Sequence, residues 1–360
     1  MKAAVLETAY RIVLTEVPDP EPEADEVLVR VRACGVSSTD LMIFEGANPW
    51  ALQAGEARHG NATNLILGHE IAGTVEAVGK DVAKRLVGRR VAVIPFHECG
   101  KCDQCLAHRP NLCRTLTRLG HNTGWTRRRL YPGGMSELCA VWASSCKELP
   151  SKLSFEDATF LDSLATAIHA VNIAKVGKRA VVLVIGCGPV GLCLAQIALK
   201  RGAQKVFVSD TYPLTLDVAA AVASVRCVRA DTDDLTKVVR TETEGAGVNF
   251  VFDTVGIPET QRQARTLLAP GGAIVNLALT DHEFSLTLRD LTGERSMTTS
   301  VNYLVEEFTE AMKTLAEGSV KVNPYITHRM GLTELPRVIE RLRVRKRHNA
   351  LKAVVFPDRD

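Results

Sequence analysis

Between Ala180 and Arg201 the chain passes from an unbroken apolar run, Val181-Val182-Leu183-Val184-Ile185, through Gly186-Cys187-Gly188-Pro189-Val190-Gly191, into a segment with helical spacing of its apolar residues. No other feature limits the fold as much. A G-x-G-x-x-G sequence is weak on its own, but between a strand and a helix it specifies a βα turn in which each glycine has a task. The first allows the tight turn, the second lets a pyrophosphate approach the backbone, and the third lets the helix pack closely on the sheet. Free N–H groups and the helix dipole then hold the phosphates. Gly186, Gly188, Pro189, Val190 and Gly191 are therefore the expected cofactor-binding turn. Nineteen residues beyond Gly191 the next strand ends at Asp210. A carboxylate there can accept both ribose hydroxyls of NAD and repels the 2′-phosphate of NADP. Thr211, Tyr212 and Pro213 follow without an Arg or Lys to receive that phosphate, so NAD is the expected cofactor.

The same segment could be misread. From Val181 to Leu199 the only non-apolar side chain is Gln196, which by hydropathy alone describes a membrane span. Three glycines and Pro189 interrupt it, and a βα unit explains the pattern better. No membrane partner is expected.

Strand and helix patterns alternate from Ser151 onward. Strands are read at Ala180–Ile185, Val206–Ser209, Val248–Asp253 and Ala273–Leu279, and helices at Val190–Arg201, Leu214–Ala223 and Thr260–Leu268. Such alternation implies a parallel sheet covered on both faces. The first hundred residues differ, with short alternating runs such as Val27–Arg32, Ile71–Val78 and Val91–Ile94 broken by Gly and Pro. Two helical stretches, Val305–Glu317 and Leu335–Val344, and a strand at Lys352–Phe356 end the chain. The expectation is an α/β protein with three segments: a β-rich domain at 1–150, a dinucleotide-binding domain at 151–290, and a return to the first domain at 291–360. A length of 360 residues suits two or three domains. Forty-four Lys and Arg against 41 Asp and Glu leave a formal charge of +3, too small for a general nucleic-acid footprint. The first residues, MKAAVLETAY, lack the apolar stretch of a signal peptide, so a cytoplasmic location is expected.

Four of the ten cysteines are crowded into one segment: Cys99, Cys102, Cys105 and Cys113 have the spacing C-x2-C-x2-C-x7-C. Four thiolates so close can form a tetrahedral, water-free shell for structural zinc. Iron–sulfur ligation also uses four cysteines, but nothing else in the chain favours iron. Cys34, Cys139, Cys146, Cys187, Cys193 and Cys227 are scattered singly and read as small buried hydrophobes.

Taken together these pieces resemble the zinc-containing medium-chain dehydrogenases, the family of alcohol, sorbitol and threonine dehydrogenases. Gly68-His69-Glu70-Ile71-Ala72-Gly73, continued to Gly79, matches the family signature G-H-E-x-x-G-x(5)-G. The cysteine lobe, Gly133-Gly134-Met135-Ser136-Glu137 and the glycine turn follow in the family's order. The resemblance implies a GroES-like catalytic domain, split in sequence, with a Rossmann domain inserted, and assembly as a homodimer or homotetramer. It also implies a catalytic zinc. His69 matches the histidine ligand, Glu70 the residue beside it that exchanges onto the metal or supports it, and Asp162 the third ligand. The first ligand is where this chain departs. In Cys34-Gly35-Val36-Ser37-Ser38-Thr39-Asp40 the family's cysteine falls on Ser37, whose hydroxyl stays protonated near neutral pH. Either zinc persists in an oxygen-rich shell of His69, Asp162, Glu70 and water, the favoured outcome, or only the structural zinc remains. Thr39 matches the hydroxyl that shuttles the substrate proton, and Thr166 a residue beside the nicotinamide.

Two segments are individual. His69 follows Ser37 by 32 positions, so Gly46–Asn64 is read as an extra loop over the cleft. His121–Tyr131, with Arg127, Arg128 and Arg129, reads as a solvated basic loop rather than an anion site, and Arg341–His348 as a solvated helix face and turn. The reaction expected is NAD-dependent interconversion of a secondary alcohol, in a polyol, sugar or cyclitol, with its ketone, assisted by zinc. The alternatives are an NAD(P)H-dependent reductase without catalytic zinc and a non-catalytic dinucleotide-binding protein.

Overall fold

The computed structural model describes residues 1–48, 63–123, 125–126, 128–344 and 348–359. Most of the predicted loop at 46–64 lies outside them, as do Arg127 and part of the basic run after Arg341. The chain divides into two units: Met1–Asp162 with Ile326–Asp360, and Ser163–Tyr325. The sequence texture changes at 150 and 290, whereas the units part within the helix Leu161–Ala174 and just before the strand Ile326–Met330. Residues after 290 are fastened to the second unit by two bonds between Gln196 and the backbone of Lys321, and by His169 Nδ1 against Glu307 Oε2 at 2.7 Å.

The second unit is a six-stranded, wholly parallel sheet. Its order is Arg226–Arg229, Lys205–Asp210, Val181–Ile185, Val248–Asp253, Leu268–Asn276 and Ser296–Thr299. Numbered in chain order that is 3-2-1-4-5-6, the doubly wound arrangement whose binding crevice lies where the order reverses, here between Val181–Ile185 and Val248–Asp253. Consecutive strand residues point to opposite faces. Val182, Leu183, Val184 and Ile185 are all buried, so both faces of this central strand are covered. The apolar run that mimics a membrane span is thus a central strand followed by the helix Pro189–Lys200, and no helix among the described residues is long and apolar enough to cross a membrane. The edge strand Arg226–Arg229 and the helix Leu235–Glu242 have no counterpart in the sequence reading. Arg-Cys-Val-Arg buries only Val228, too little apolar pattern to signal a strand.

The first unit holds a seven-stranded mixed sheet ordered Cys146–Glu148, Arg90–Val93, Glu70–Val78, Glu26–Val36, Lys352–Val355 and Ile326–Met330, with Leu138–Trp142 also pairing Glu26–Val36. The C-terminal strand Lys352–Val355 lies antiparallel to Glu26–Val36, so the end of the chain completes a sheet begun near its start. This pairing also sets the register for the site. Gly35 is opposite Glu70 on one side and Val354 on the other, which brings Glu70 and Lys352 together across it. A Cβ at Gly35 would come within 2.0 Å of Glu70 Oε2 and 3.0 Å of Lys352 Cε, so the close approach requires glycine here. Cys34, Cys139, Cys187 and Cys193 are buried, as expected of small hydrophobes; Cys146 and Cys227 are half-buried.

Candidate metal and cofactor sites

In the cysteine lobe a single turn of helix, Asp103–Leu106, and the 3-10 turn Pro110–Leu112 fold the ligands toward one another. Cys99, Cys102, Cys105 and Cys113 all have their sulfurs within 4.8 Å of one another, with Cys102 Sγ 3.6 Å from Cys105 and 4.0 Å from Cys113. Zinc–sulfur bonds of about 2.3 Å at the tetrahedral angle separate sulfurs by about 3.8 Å, so the lobe fits zinc without rearrangement. The backbone N–H groups of Lys101 and Cys102 hold the Cys99 thiol down to about 6, which favours the thiolate that a metal needs.

The second cluster is built from distant segments. Ser37 caps the helix Ser38–Phe44: its Oγ accepts from Asp40 N at 3.1 Å and donates to Asp40 Oδ2 at 2.7 Å. Thr39 is half-buried in the first turn of this helix. Asp40 is wholly buried, and its Oδ1 accepts from Gly68 N at 3.0 Å, immediately before His69. His69 is 5% exposed. Its Nδ1 lies 3.7 Å from Asp40 Oδ1 and 2.8 Å from His121 Nε2, and its Nε2 lies 3.8 Å from Asp162 Oδ2. His69, Glu70 and Asp162 present ligand atoms within 4.8 Å of one another, and so do Asp40, His69 and His121. Glu70 is ion-paired with Lys352, which is itself 1% exposed and lies 5.3 Å from the centre of the Phe160 ring.

Burial and charge compete throughout this cluster. For His69 burial opposes the cation, but Asp40 and then Asp162 and Glu70 raise it to about 9. Burial would likewise raise Asp40, yet the positive His69 beside it holds the carboxyl well below the usual range. His121 is pushed well down, by burial first and then by His69. Burial raises Glu70 despite the opposing charge of Lys352.

A tetrahedral zinc would hold two nitrogen or oxygen ligands about 3.3 Å apart. The His69 Nε2–Asp162 Oδ2 separation is slightly wider, and one imidazole with two carboxylates is a reasonable zinc donor set. The residues present fit a metal, with Glu70 joining only by releasing Lys352. Ser37 does not supply the missing ligand, because its hydroxyl is committed to Asp40.

In the second unit the glycine turn has the expected form. Gly186 has φ +85°, and a Cβ on Gly191 would lie 1.9 Å from Gly186 O. A Cβ on Gly188 would meet nothing within 4 Å; this glycine caps the helix that begins at Pro189 and Val190. Asp210 ends its strand with both oxygens holding the turn, Oδ2 accepting from Cys187 N and Oδ1 from Tyr212 N, each at 2.8 Å. A carboxylate has lone pairs left for ribose hydroxyls after those two bonds. Thr166 is half-buried on the helix Leu161–Ala174.

Sequence reasoning gave no role to Asp40, His121 or Lys352. Asp40 stood inside the matched motif; His121 and Lys352 carry no local signal, since only the tertiary fold brings them to His69 and Glu70. The basic loop is also corrected. Arg128 is 17% exposed, and both of its terminal nitrogens bond the buried Glu26, one also reaching Glu21 O. Arg129 alone of the described pair stays in solvent.

Comparison with known proteins identifies the two domains. Residues 23–151 match the alcohol dehydrogenase GroES-like domain, and residues 189–317 the zinc-binding dehydrogenase domain. The sorbitol dehydrogenase of Bacillus subtilis (strain 168) is 27% identical over 363 residues, covering 100% of this chain and 98% of the relative. A solved Escherichia coli CFT073 alcohol dehydrogenase (rspB), complexed with NADH, superposes with a TM-score of 0.87 at 26% identity over 99% of both chains. A zinc-binding dehydrogenase of Sinorhizobium meliloti 1021, bound to NADP, superposes with a TM-score of 0.85 at 27% identity, again over 99% of both chains. With both domain matches in order and relatives aligned over the full length, the chain belongs to the zinc-type medium-chain dehydrogenase family, whose GroES-like and Rossmann parts form an NAD(P)-linked alcohol or polyol oxidoreductase.

Proposed function

We propose that the protein is an NAD-dependent dehydrogenase that oxidises a secondary alcohol of a polyol, sugar or cyclitol to its ketone. The observation that carries the reading is the convergence of His69, Glu70 and Asp162 donors within 4.8 Å. His69 through Nε2 and Asp162 through a carboxylate oxygen would hold zinc, with Glu70 in reserve on Lys352. Bound there, zinc supplies Lewis-acid polarisation that lowers the pKa of an alcohol. Asp40 and Lys352 keep the cluster's charges paired, and Thr39 carries the alcohol proton outward. Gly186, Gly188, Pro189, Val190 and Gly191 receive the pyrophosphate, Asp210 the ribose hydroxyls, and Thr166 packs against the nicotinamide. NAD is preferred over NADP because Asp210 is anionic and the next three residues carry no cation. An oxygen-rich donor set is harder than one with a thiolate, which suits a chelating vicinal diol. We further propose a cytoplasmic homodimer or homotetramer.

One observation favours the zinc-free reductase instead: Ser37 is taken by Asp40 and Glu70 by Lys352. Elemental analysis of protein purified without chelators separates the two readings. Two zincs per subunit, falling to one in His69→Ala, with NAD-linked turnover of polyols above that of simple alcohols, support the dehydrogenase. One zinc in both proteins, with chelator-insensitive reduction, overturns it. Cofactor binding with neither alcohol oxidation nor NAD(P)H-linked reduction leaves only the non-catalytic alternative.

A further inference from the structure

We propose that His121 is a positioning residue for His69, accepting a hydrogen bond from His69 Nδ1–H and thereby aiming the Nε2 lone pair of His69 toward Asp162. The inference rests on the reading of His69 as a metal ligand and adds a residue that lies outside the signature motifs.

Three observations carry it. His121 Nε2 is 2.8 Å from His69 Nδ1, whereas Asp40 Oδ1 is 3.7 Å away, beyond hydrogen-bond reach. Asp40 is also already engaged: Oδ1 accepts from Gly68 N, and Oδ2 from both the N–H and the hydroxyl of Ser37. Asp40 thus lends its charge to His69 while His121 supplies the directional bond. Finally, His121 is held by a built turn. Its N–H and that of Asn122 bond to Arg118 O, Arg118 N bonds to Asn122 Oδ1, Asn48 Nδ2 bonds to His121 O, and Trp125 Nε1 bonds to Asn122 O. His121 is 5% exposed and its ring meets that of His69 edge-on, with centroids 4.2 Å apart.

The short contact is a hydrogen bond and not a pair of ligands around one ion, since nitrogens on a tetrahedral zinc stand about 3.3 Å apart. Proton placement follows. An N–H···N bond needs one donor and one acceptor, and a metal-facing Nε2 must be bare, so the hydrogen sits on Nδ1 of His69. His121 accepts at Nε2 and carries its own hydrogen on Nδ1. A ligating imidazole ordinarily fixes its tautomer and orientation through such a bond on the other nitrogen.

The test uses full-length protein labelled with 15N-histidine. Wild type should show scalar coupling across the His69 Nδ1–H···Nε2 His121 bond, with or without added zinc. In competition titrations with zinc, His121→Ala should weaken the second zinc by about 10- to 100-fold while keeping the lobe zinc as an internal control of folding. His121→Gln, whose Oε1 can accept in place of Nε2, should recover most of that loss. Absence of the coupling overturns the proposal, as does unchanged zinc affinity in His121→Ala. Equal losses in His121→Ala and His121→Gln also overturn it, because they mark a packing role. A wild type that shows the coupling but binds only the lobe zinc supports the imidazole pair and sinks the metal-dependent reading of function.

Discussion

The cysteine lobe and the His69 cluster belong to the same unit, and each gathers metal-ligating groups within 4.8 Å, yet they are held together by opposite means. The lobe draws its four sulfurs from 15 consecutive residues and has little core of its own: Leu106 is 69% exposed and Leu112 is also in solvent. A metal bound there would act as the missing core. The His69 cluster draws on residues 37–40, 69–70, 121, 162 and 352, which the sheet register and the helix cap bring together. Its members are tied to one another by buried hydrogen bonds and ion pairs. A metal would complete the first site; the fold itself builds the second.

The largest effect should follow from breaking the lobe. Cys113→Ala removes one of four thiolates from a site type whose metal binding is worth about 10–16 kcal/mol in small zinc domains. Zinc content should fall by one equivalent, and limited proteolysis should cut within residues 99–113, while His69-dependent zinc remains. Retention of both zincs would erase the contrast between the two regions. Next comes Lys352→Met, which takes the ion-pair cation away from the buried Glu70 carboxylate. Removing one partner of a buried pair costs about 3–5 kcal/mol, and Glu70→Gln in the same chain should return much of it, both read by urea unfolding.

The third effect depends on pH. In metal-free protein His69 titrates near 9, above its unfolded value, while His121 is depressed, and the coupled pair therefore holds a single proton over a wide range. Above the ordinary imidazole value of about 6.5 the unfolded chain has released both protons and the native pair has kept one, so stability falls as pH rises through 9. Below about 6.5 the unfolded chain takes up two protons and the native pair still one, so stability falls again with acid. The alkaline loss is on the order of 3 kcal/mol, since each tenfold gain in proton affinity on folding is worth about 1.4 kcal/mol. Asp40→Asn should move the alkaline limb toward neutral pH. Zinc, which excludes the proton on His69 Nε2, should abolish that limb. Unfolding free energy that is flat from pH 6 to 9.5 in the metal-free protein would count against the charged cluster.

This contrast also explains what could be read in the sequence. The lobe and the glycine turn are local: ligand spacing and a strand–turn–helix pattern state their geometry outright, and Gly191, whose Cβ would strike Gly186 O, performs the task its motif position assigns. His69, Glu70 and Asp162 are candidates through the family resemblance, not through spacing. The motif puts Ser37 at the position of the family's cysteine, but its capping of Asp40 is a choice between two hydrogen-bonding partners that composition does not decide. Lys352 and His121 were invisible because sheet pairing and a turn far along the chain deliver them. Arg128 misled for a related reason: three arginines in a row signal solvent unless a buried partner such as Glu26 lies elsewhere in the sequence.

The smallest effect should come from an ion pair whose geometry looks strong. Arg114 grips Asp103 at 2.5 and 2.8 Å, a forked contact that holds the Asp103 carboxyl at about 2. Both side chains are more than half exposed, however, and water and salt screen the pair while its ordering costs entropy. Asp103→Asn should leave the zinc content at the wild-type value and shift the unfolding midpoint by no more than the measurement error in physiological salt, with a small loss appearing only at low ionic strength. Glu26→Gln, which weakens the equally short but buried pair with Arg128, should lower the midpoint measurably under the same conditions. If Asp103→Asn instead releases zinc, the lobe is organised by its surface charges rather than by its thiolates, and the distinction between a metal-folded site and a fold-built one fails at the lobe.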